Sequence, residues 1–336
     1  MQIYLAPMEG LLDFVLRDIL TRVGGVDRCV SEFIRITHTL LHERAFLRIV
    51  PELAQGSRTL AGVPVWPQLL GSDPVCLADN AARLADMGAP GIDLNFGCPA
   101  KVVNRHGGGA MLLQTPDALL RIVSAVRSAV PAVVPVSAKM RLGFEDDALL
   151  LDNAHALQDA GASEIVVHAR TKVQGYKPPA HWARVADVVA ALRIPVAVNG
   201  EIWSESDARA ALAASGCSRL MLGRGMVARP ALAHAVRAQM GAAPHAGHDW
   251  SWERLGPLLH AFWAVAHSRL EQRQQAGRVK QWLQYLRRHY PQAQTAFEQV
   301  RLLTRPSDVD AWLRSAIPGL ESACDQGSAA LASPIR

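Results

Sequence analysis

Eight short, almost purely apolar runs punctuate the first 240 residues of this 336-residue chain. They read IYLAPM, RCVSEF, VPVWPQLL, GIDLNF, VPVSAKMRL, EIVVHAR, IPVAVNGEI and RLMLGRG. Between most of them lie amphipathic stretches such as DPVCLADNAARLADMG, with Leu77, Ala81, Leu84 and Ala85 at helical spacing and a stop at Gly88. A strand that reads as a continuous hydrophobic run is buried on both faces, and a helix after each strand makes the next strand parallel. Eight such units in about 230 residues fit a closed (β/α)8 TIM barrel of the α/β class. A doubly wound open sheet would instead need a dinucleotide fingerprint after the first strand, and APMEGLLD is not one.

The catalytic barrel is therefore expected over 1–240. Residues 241–250, GAAPHAGHDW, read as a linker by composition. Beyond it the chain has helical periodicity without strand signals, in segments Trp252–Gln275, Val279–Tyr290 and Gln292–Leu303. This predicts a small all-helical domain over 251–317 and a flexible Ser/Ala/Gly-rich tail over 318–336. Charge is unevenly divided. From Ser251 onward there are 11 Lys and Arg against 7 Asp and Glu, so this quarter holds +4 of the formal +5. A localised basic region points to a polyanionic partner, against the ordinary alternative of a solvated helix face.

Other classes are excluded by composition. Five scattered cysteines (29, 76, 98, 217 and 324) without a CxxC argue against a disulfide framework or a zinc site. The beginning, MQIYLAPMEG, has no basic n-region, and no apolar stretch approaches a membrane span. The expectation is a cytoplasmic protein without membrane or metal, acting as a monomer. His38 and His42 have i,i+4 spacing but no evident third ligand. HGGGA follows no strand directly and reads as a loop shaping a lid rather than a dinucleotide site.

In a (β/α)8 barrel, chemistry gathers at the C-terminal strand ends. Here those ends carry Pro7-Met8-Glu9, Glu32, Gln68, Asn95 with Cys98, Lys139 with Arg141, His168 with Arg170, Asn199-Gly200-Glu201, and Gly223-Arg224. Any one of these has a dull explanation, but a complete ring of polar ends on apolar strands does not. VNGEI and LGRG close strands seven and eight, where barrels commonly hold a phosphate on backbone N–H groups, with Arg224 adding charge. Lys139 then fits either a Schiff-base lysine or an electrostatic partner of an anionic cofactor. Cys98 stands between Gly97 and Pro99, where the chain leaves the sheet, an unusual place for a packing cysteine.

The segments APMEG, PQLLGS, DLNFGCP, KMRLG, VVHART, VNGEI and GRG resemble the tRNA-dihydrouridine synthases, and the similarity spans essentially the whole chain. GRVKQWLQYLRRHY resembles that family's helical tRNA-binding domain, and SEFIRI and NGEIW point to its bacterial C-type branch. The resemblance implies an FMN-dependent enzyme, driven by NADPH (or NADH), that reduces the C5=C6 bond of a D-loop uridine in tRNA, at position 16. It implies Cys98 as general acid. Pro7, Met8 and Glu9 would line the isoalloxazine, Gln68 its edge, Lys139 its polar side and His168 the ribityl or phosphate, with Asn199, Gly200, Glu201, Gly223 and Arg224 at the phosphate end. For tRNA it implies Arg35, Asn95, Tyr176, Arg278, Lys280 and Arg301. The alternative is a flavin barrel acting on a small enone-like metabolite, as dihydroorotate dehydrogenases do; a third reading is a tRNA-binding module without turnover. On a helical wheel Val279, Trp282, Leu283, Leu286 and Tyr290 make one stripe, leaving Arg278, Lys280, Arg287 and Arg288 outside it. TKVQGYKPP is a Gly/Pro loop presenting Tyr176, suited to meeting a flipped-out base.

Overall fold

Burial on both faces is what the apolar runs share, and only a closed sheet sheathed in helices provides it for all of them. In the computed structural model, which describes residues 1–241 and 250–317, they form one closed barrel of parallel strands in chain order. The strands are β1 (Gln2–Leu5), β2 (Arg28–Arg35), β3 (Val65–Leu70), β4 (Ile92–Phe96), β5 (Val136–Arg141), β6 (Glu164–His168), β7 (Val196–Asn199) and β8 (Arg219–Leu222). The expected (β/α)8 fold is the observed one. Around the barrel run α1 (Phe14–Val23), α2 (Glu43–Ile49), α3 (Pro74–Asp86), α4 (Lys101–Arg105), α5 (Pro116–Ala129), α6 (Leu150–Asp159), α7 (Ala183–Ala191), α8 (Glu205–Ser215), α9 (Arg224–Ala228) and α10 (Leu232–Gln239).

Local chemistry sets several boundaries. Asp73 caps α3 by accepting the Cys76 N–H at 2.8 Å, with Pro74 in the first turn. α8 opens with a reciprocal capping box between Ser204 and Asp207 and closes on Gly216 at φ +68°. His42 caps α2 by accepting the Arg44 N–H at 3.3 Å. No group of three or more His, Cys, Asp or Glu side chains suited to a metal occurs among the described residues.

Strand register decides which side chains share the barrel interior. Asn95 pairs with Lys139, Arg141 with His168, and His168 with Asn199, so the polar strand ends meet at one rim. Tyr4, Ala6, Val30, Val166, Ala197 and Met221 form an apolar cluster contributed by the β1, β2, β6, β7 and β8 side. Gln68, Asp93 and Ser137, linked across β3–β5, make the other side polar. No helix among the described residues is long and apolar enough to cross a membrane.

Contacts divide the chain into two units, one comprising residues 1–226 and 232–242 and the other joining residues 227–231 to the later helical region. The second unit holds α11 (Trp252–Arg269), α12 (Gln272–Leu286), α13 (Pro291–Val300) and α14 (Pro306–Ala316). The stripe of Val279, Trp282, Leu283, Leu286 and Tyr290 is buried, as its spacing predicts. Trp282 packs on Phe262 at 4.9 Å between ring centroids and donates its indole N–H to Val227 O at 3.1 Å. Several boundaries differ from expectation, α12 running from Gln272 to Leu286 rather than from Val279 to Tyr290 and α13 ending at Val300 rather than Leu303. The first helical segment ends at Arg269 because Gln275 turns its amide onto His267 O and Leu270 O, both at 2.9 Å, satisfying the helix end. A fourth helix, α14, lies beyond the three expected segments, although Pro306 in its first turn and Asp308 mark its start. The expected linker lies largely, and the expected tail entirely, outside the described residues.

Candidate active site

Cys98 owes its position to a side-chain turn at the exit of β4. Asn95 Oδ1 accepts the N–H groups of Gly97 (3.0 Å) and Cys98 (2.9 Å), folding the backbone sharply out of the strand. Cys98 O is then held by Ala110 N–H at 3.1 Å and Asn104 Nδ2 at 2.9 Å. Gly109 makes this closure possible. It sits at φ +62°, and a Cβ there would come within 2.8 Å of Cys98 O and 3.1 Å of Cys98 Cβ. The glycine cluster thus braces the cysteine turn. Cys98 is half-buried. Burial raises its thiol above the usual value and Glu9 adds to this, while the Ala100 N–H, Arg141 and Lys139 pull the other way. At neutral pH the group is a thiol, able to donate a proton.

The ends of β5 to β8 gather positive charge. Lys139 keeps partial exposure at the bottom of the mouth, yet crowding by protein, together with Arg141, lowers its ammonium to about 8. Arg141, 1 % exposed, donates to Gly97 O (2.7 Å), Thr171 O (3.0 Å) and Gly175 O (2.9 Å), tying the cysteine turn to the loop that carries Tyr176. His168 is buried and its imidazolium is disfavoured first by that burial and then by Arg141, Lys139, Arg170 and Arg224. Arg170 Nη1 lies 3.3 Å from His168 Nε2, which accepts only in a neutral ring. Tyr176, 54 % exposed, rests 5.9 Å from His168 and close to 5 Å from the guanidinium groups of Arg141 (5.2 Å) and Arg224 (5.1 Å), ring centroid to group.

Glu201 is the carboxylate among these cations. It pairs with Arg170, accepts the Trp203 indole N–H at 2.8 Å and lies 3.8 Å from Arg224. Although burial opposes it, these partners hold Glu201 below the usual carboxylate range. Its side chain thus links Arg170 and Arg224. Gly200 adopts φ +113°, where a Cβ would meet His168 at 2.6 Å, and its carbonyl accepts from the Trp182 indole at 2.8 Å. A Cβ on Gly223 would approach Met8 Sδ at 3.4 Å, so the β1 and β8 loops adjoin.

A profile of the family described as Dihydrouridine synthase (Dus) matches residues 4–311. The chain belongs to this family. A protein of Aquipseudomonas alcaligenes named tRNA-dihydrouridine(16) synthase is 55% identical over 302 residues, covering 90% of this chain and 95% of its own. Proteins of the same name are 54% identical in Pseudomonas putida, over 90% and 93% of the two chains, and 48% identical in Cupriavidus necator, over 96% and 99%. The dihydrouridine synthases are flavin-dependent oxidoreductases.

Against that family background, the barrel unites most of the residues singled out in the sequence. Pro7 and Met8 are half-buried at the β1 exit, Glu9 is exposed, and Arg35 ends β2 half-buried. Gln68 has no exposed surface, and its amide is hydrogen-bonded to Asp93 and Asn95. Arg278, Lys280 and Arg301 belong to the helical unit. The roles of Arg141, Asp93 and Trp203 are not evident from sequence. Arg141 stands out there only as a polar strand end, and Asp93, a carboxylate amid apolar β4, is the signal that could have found the network behind Cys98.

Proposed function

We propose that this chain reduces a uridine of tRNA, at position 16, to 5,6-dihydrouridine, with FMN as cofactor and NADPH as donor. The observation that carries this reading is the half-buried Cys98 thiol, held at the exit of β4 beside a mouth that gathers Lys139, Arg141, Arg170 and Arg224, two of which touch the carboxylate of Glu201. That positive charge fits a phosphorylated ring cofactor, and Gly200 lets its backbone pass close beside His168 at the same rim. Arg224, Arg170 and the backbone of Asn199, Gly200 and Gly223 would hold its phosphate end, with His168 alongside. Pro7, Met8 and Lys139 would border the ring. When bound, FMN supplies the hydride, drawn from NADPH, that reaches C6 of the base.

The rest is done by the chain. Uracil's C5=C6 bond is conjugated to its C4 carbonyl, so hydride arriving at C6 leaves C5 to be protonated. Cys98 Sγ donates that proton, and Lys139 and Arg141 stabilise the thiolate left behind until solvent reprotonates it. Tyr176, exposed yet braced by two guanidinium groups, offers a ring on which the extruded base stacks. The basic faces of the helical unit, including Arg278, Lys280 and Arg301, bind tRNA phosphates, and a tRNA substrate places the reaction in the cytoplasm. The test is to map dihydrouridine in tRNA from cells lacking the gene. Loss at position 16, restored by the wild-type gene and not by Cys98→Ala, is expected. Unchanged dihydrouridine at that position, or a purified protein that releases no FMN on denaturation, overturns the reading.

A further inference from the structure

Behind the cysteine turn runs a chain of buried polar side chains whose donors and acceptors all point one way. Asp93 accepts at both carboxylate oxygens, from Ser137 Oγ at 2.5 Å and from Gln68 Nε2 at 2.6 Å. Gln68 Oε1 accepts Asn95 Nδ2 at 2.8 Å. Asn95 Oδ1, at the far end, accepts the N–H groups of Gly97 and Cys98 at 3.0 and 2.9 Å. Asp93 and Gln68 have no exposed surface, and Asn95 is 8 % exposed. Water therefore cannot correct an amide turned the wrong way round.

We infer that Asp93 is a positioning residue for Cys98, acting through the fixed orientation of the Gln68 and Asn95 amides. An amide has one donor end and one acceptor end. The Asp93 oxygen facing Gln68 accepts, so it draws the NH2 end of Gln68 inward and turns the carbonyl outward. That carbonyl draws the NH2 of Asn95 in turn. The Asn95 oxygen is left as the only end facing the turn, where two backbone N–H groups need an acceptor. Reversing any member places two acceptors or two donors face to face in a water-free site, which is costly and propagates along the network. Burial raises the Asp93 carboxyl above its ordinary value, and Gln68, Ser137, Arg28 and Lys139 offset this only in part, so the wiring rests on the hydrogen bonds it accepts. That Cys98 donates the proton rests on the function proposed above, whereas the wiring rests on the hydrogen bonds alone.

The order can be inverted by design. In Asn95→Asp, carboxylates flank Gln68, and its carbonyl must face one of them. In Asp93→Asn, the new amide gives its oxygen to Gln68 and its NH2 to Ser137, so the order survives. Combining the two substitutions restores a consistent network of opposite sense. The amide introduced at position 93 would donate to Gln68, Gln68 to the carboxylate at 95, and that carboxylate would still receive the N–H groups of Gly97 and Cys98. The measurement is iodoacetamide alkylation of Cys98 in the flavin-loaded enzyme, followed by peptide mass spectrometry over a pH series. The profile separates thiol pKa from limiting reactivity.

Asn95→Asp alone should change the limiting rate about tenfold and lower Tm. Asp93→Asn alone should change it by less than about twofold, and the double variant should return to within about threefold of the parent. Effects that simply multiply, or an Asn95→Asp protein with unaltered limiting rate, overturn the inference. If Asn95→Asp fails to fold, a double variant that folds supports the wiring and one that does not fold overturns it. Neither tRNA nor NADPH enters this assay, so its failure is distinguishable from failure of the proposed function.

Discussion

The two ends of the barrel are both lined with buried charge, but they spend it differently. At the N-terminal end, Arg28 is sandwiched 3.8 Å from the ring centroids of both Tyr4 and Trp66 and pairs with Glu164. The second oxygen of Glu164 accepts from Arg219 at 2.6 Å and from the Tyr4 hydroxyl at 3.0 Å. Asp27 beside them takes Arg237 at 2.5 Å and the Ile3 N–H at 2.6 Å. Tyr4, Asp27, Arg28, Trp66, Glu164 and Arg219 line a pocket of about 370 Å³, in which two arginines face two carboxylates. At the C-terminal end, Arg170 and Arg224 share the Glu201 carboxylate, Lys139 and Arg141 stand at the end of β5, and the lysine and histidine are pushed toward their neutral forms. Charge balanced internally holds a fold together, whereas charge left in excess awaits a ligand.

If that contrast is right, substitutions at the mouth should alter rates and binding, and substitutions at the base should alter stability. The largest effect is expected from Cys98→Ala. In the proposed reaction, reduction of the flavin by NADPH does not use the thiol and should keep its parent rate. Reoxidation by tRNA should slow by about 10²–10⁴, the usual worth of a general acid. Stopped-flow measurement of each half-reaction decides it, and equal slowing of both would make Cys98 a structural residue, erasing the contrast.

Glu164→Ala is the counterpart at the base. It strands Arg28 and Arg219 without their shared carboxylate, and losing one partner of a buried ion pair costs about 3–5 kcal/mol. Denaturant unfolding should show that loss, while the folded fraction retains its flavin and its rate of tRNA reduction. Loss of flavin without loss of stability would mean that the base, too, serves the cofactor. Arg224→Ala should do the reverse. On the proposed assignment, removing a charge-assisted phosphate contact should weaken FMN binding by about 1.5–3 kcal/mol, a factor of roughly ten to a hundred. Its flavin-free form should melt with the parent, because Arg224 is partly exposed and its partner Glu201 keeps Arg170.

Much of this architecture is legible in the sequence because it is written locally. Parallel strands buried on both faces must be apolar, so all eight appear as runs, and Lys139, His168 and Asn199 appear as interruptions at their ends. DLNFGCP announces a turn at the end of β4 because Asn, Gly and Pro each break a strand for their own reason. What is not written locally is the register between strands. Gln68 meets Asp93 25 residues on, and Arg141 reaches Gly97 44 residues back. Glu164 reads in isolation as an ordinary strand start, and its three partners become visible only when the barrel closes. Pairing was therefore the illegible part, and pairing is what separates the two ends.

A finer probe of the mouth uses pH. Lys139 has a folded-state value of about 8 against 10.5 ordinarily. Between those values the unfolded chain binds a proton that the folded protein has released, so this group makes stability rise with pH there and imposes its full penalty below about 8. Lys139→Met should accordingly stabilise the flavin-free protein more at pH 7 than at pH 10 in thermal melts. An equal gain at both values would mean that the lysine sits in the mouth without strain, and the mouth would lose its claim to uncompensated charge.

The smallest effect concerns charge of a third kind, at the surface of the helical unit. The apolar stripe of α12 is buried, while Arg288 is exposed and Arg278 and Lys280 are half-buried beside it. Such residues neither neutralise one another in a core nor surround a cofactor, so their contribution should be electrostatic and screened by salt. Changing Arg278, Lys280 and Arg288 together to Gln leaves Val279, Trp282, Leu283 and Leu286 in place, and the unit should melt as before. If these side chains meet tRNA phosphates, each one lost should lower the log–log salt slope of tRNA binding by up to about 0.9. Affinity should fall several-fold at low salt, and the difference from the parent should close as salt rises. Flavin content and NADPH oxidation without tRNA should not move, because the proposed assignment puts both in the barrel. Parallel salt slopes for variant and parent would make this an ordinary solvated face.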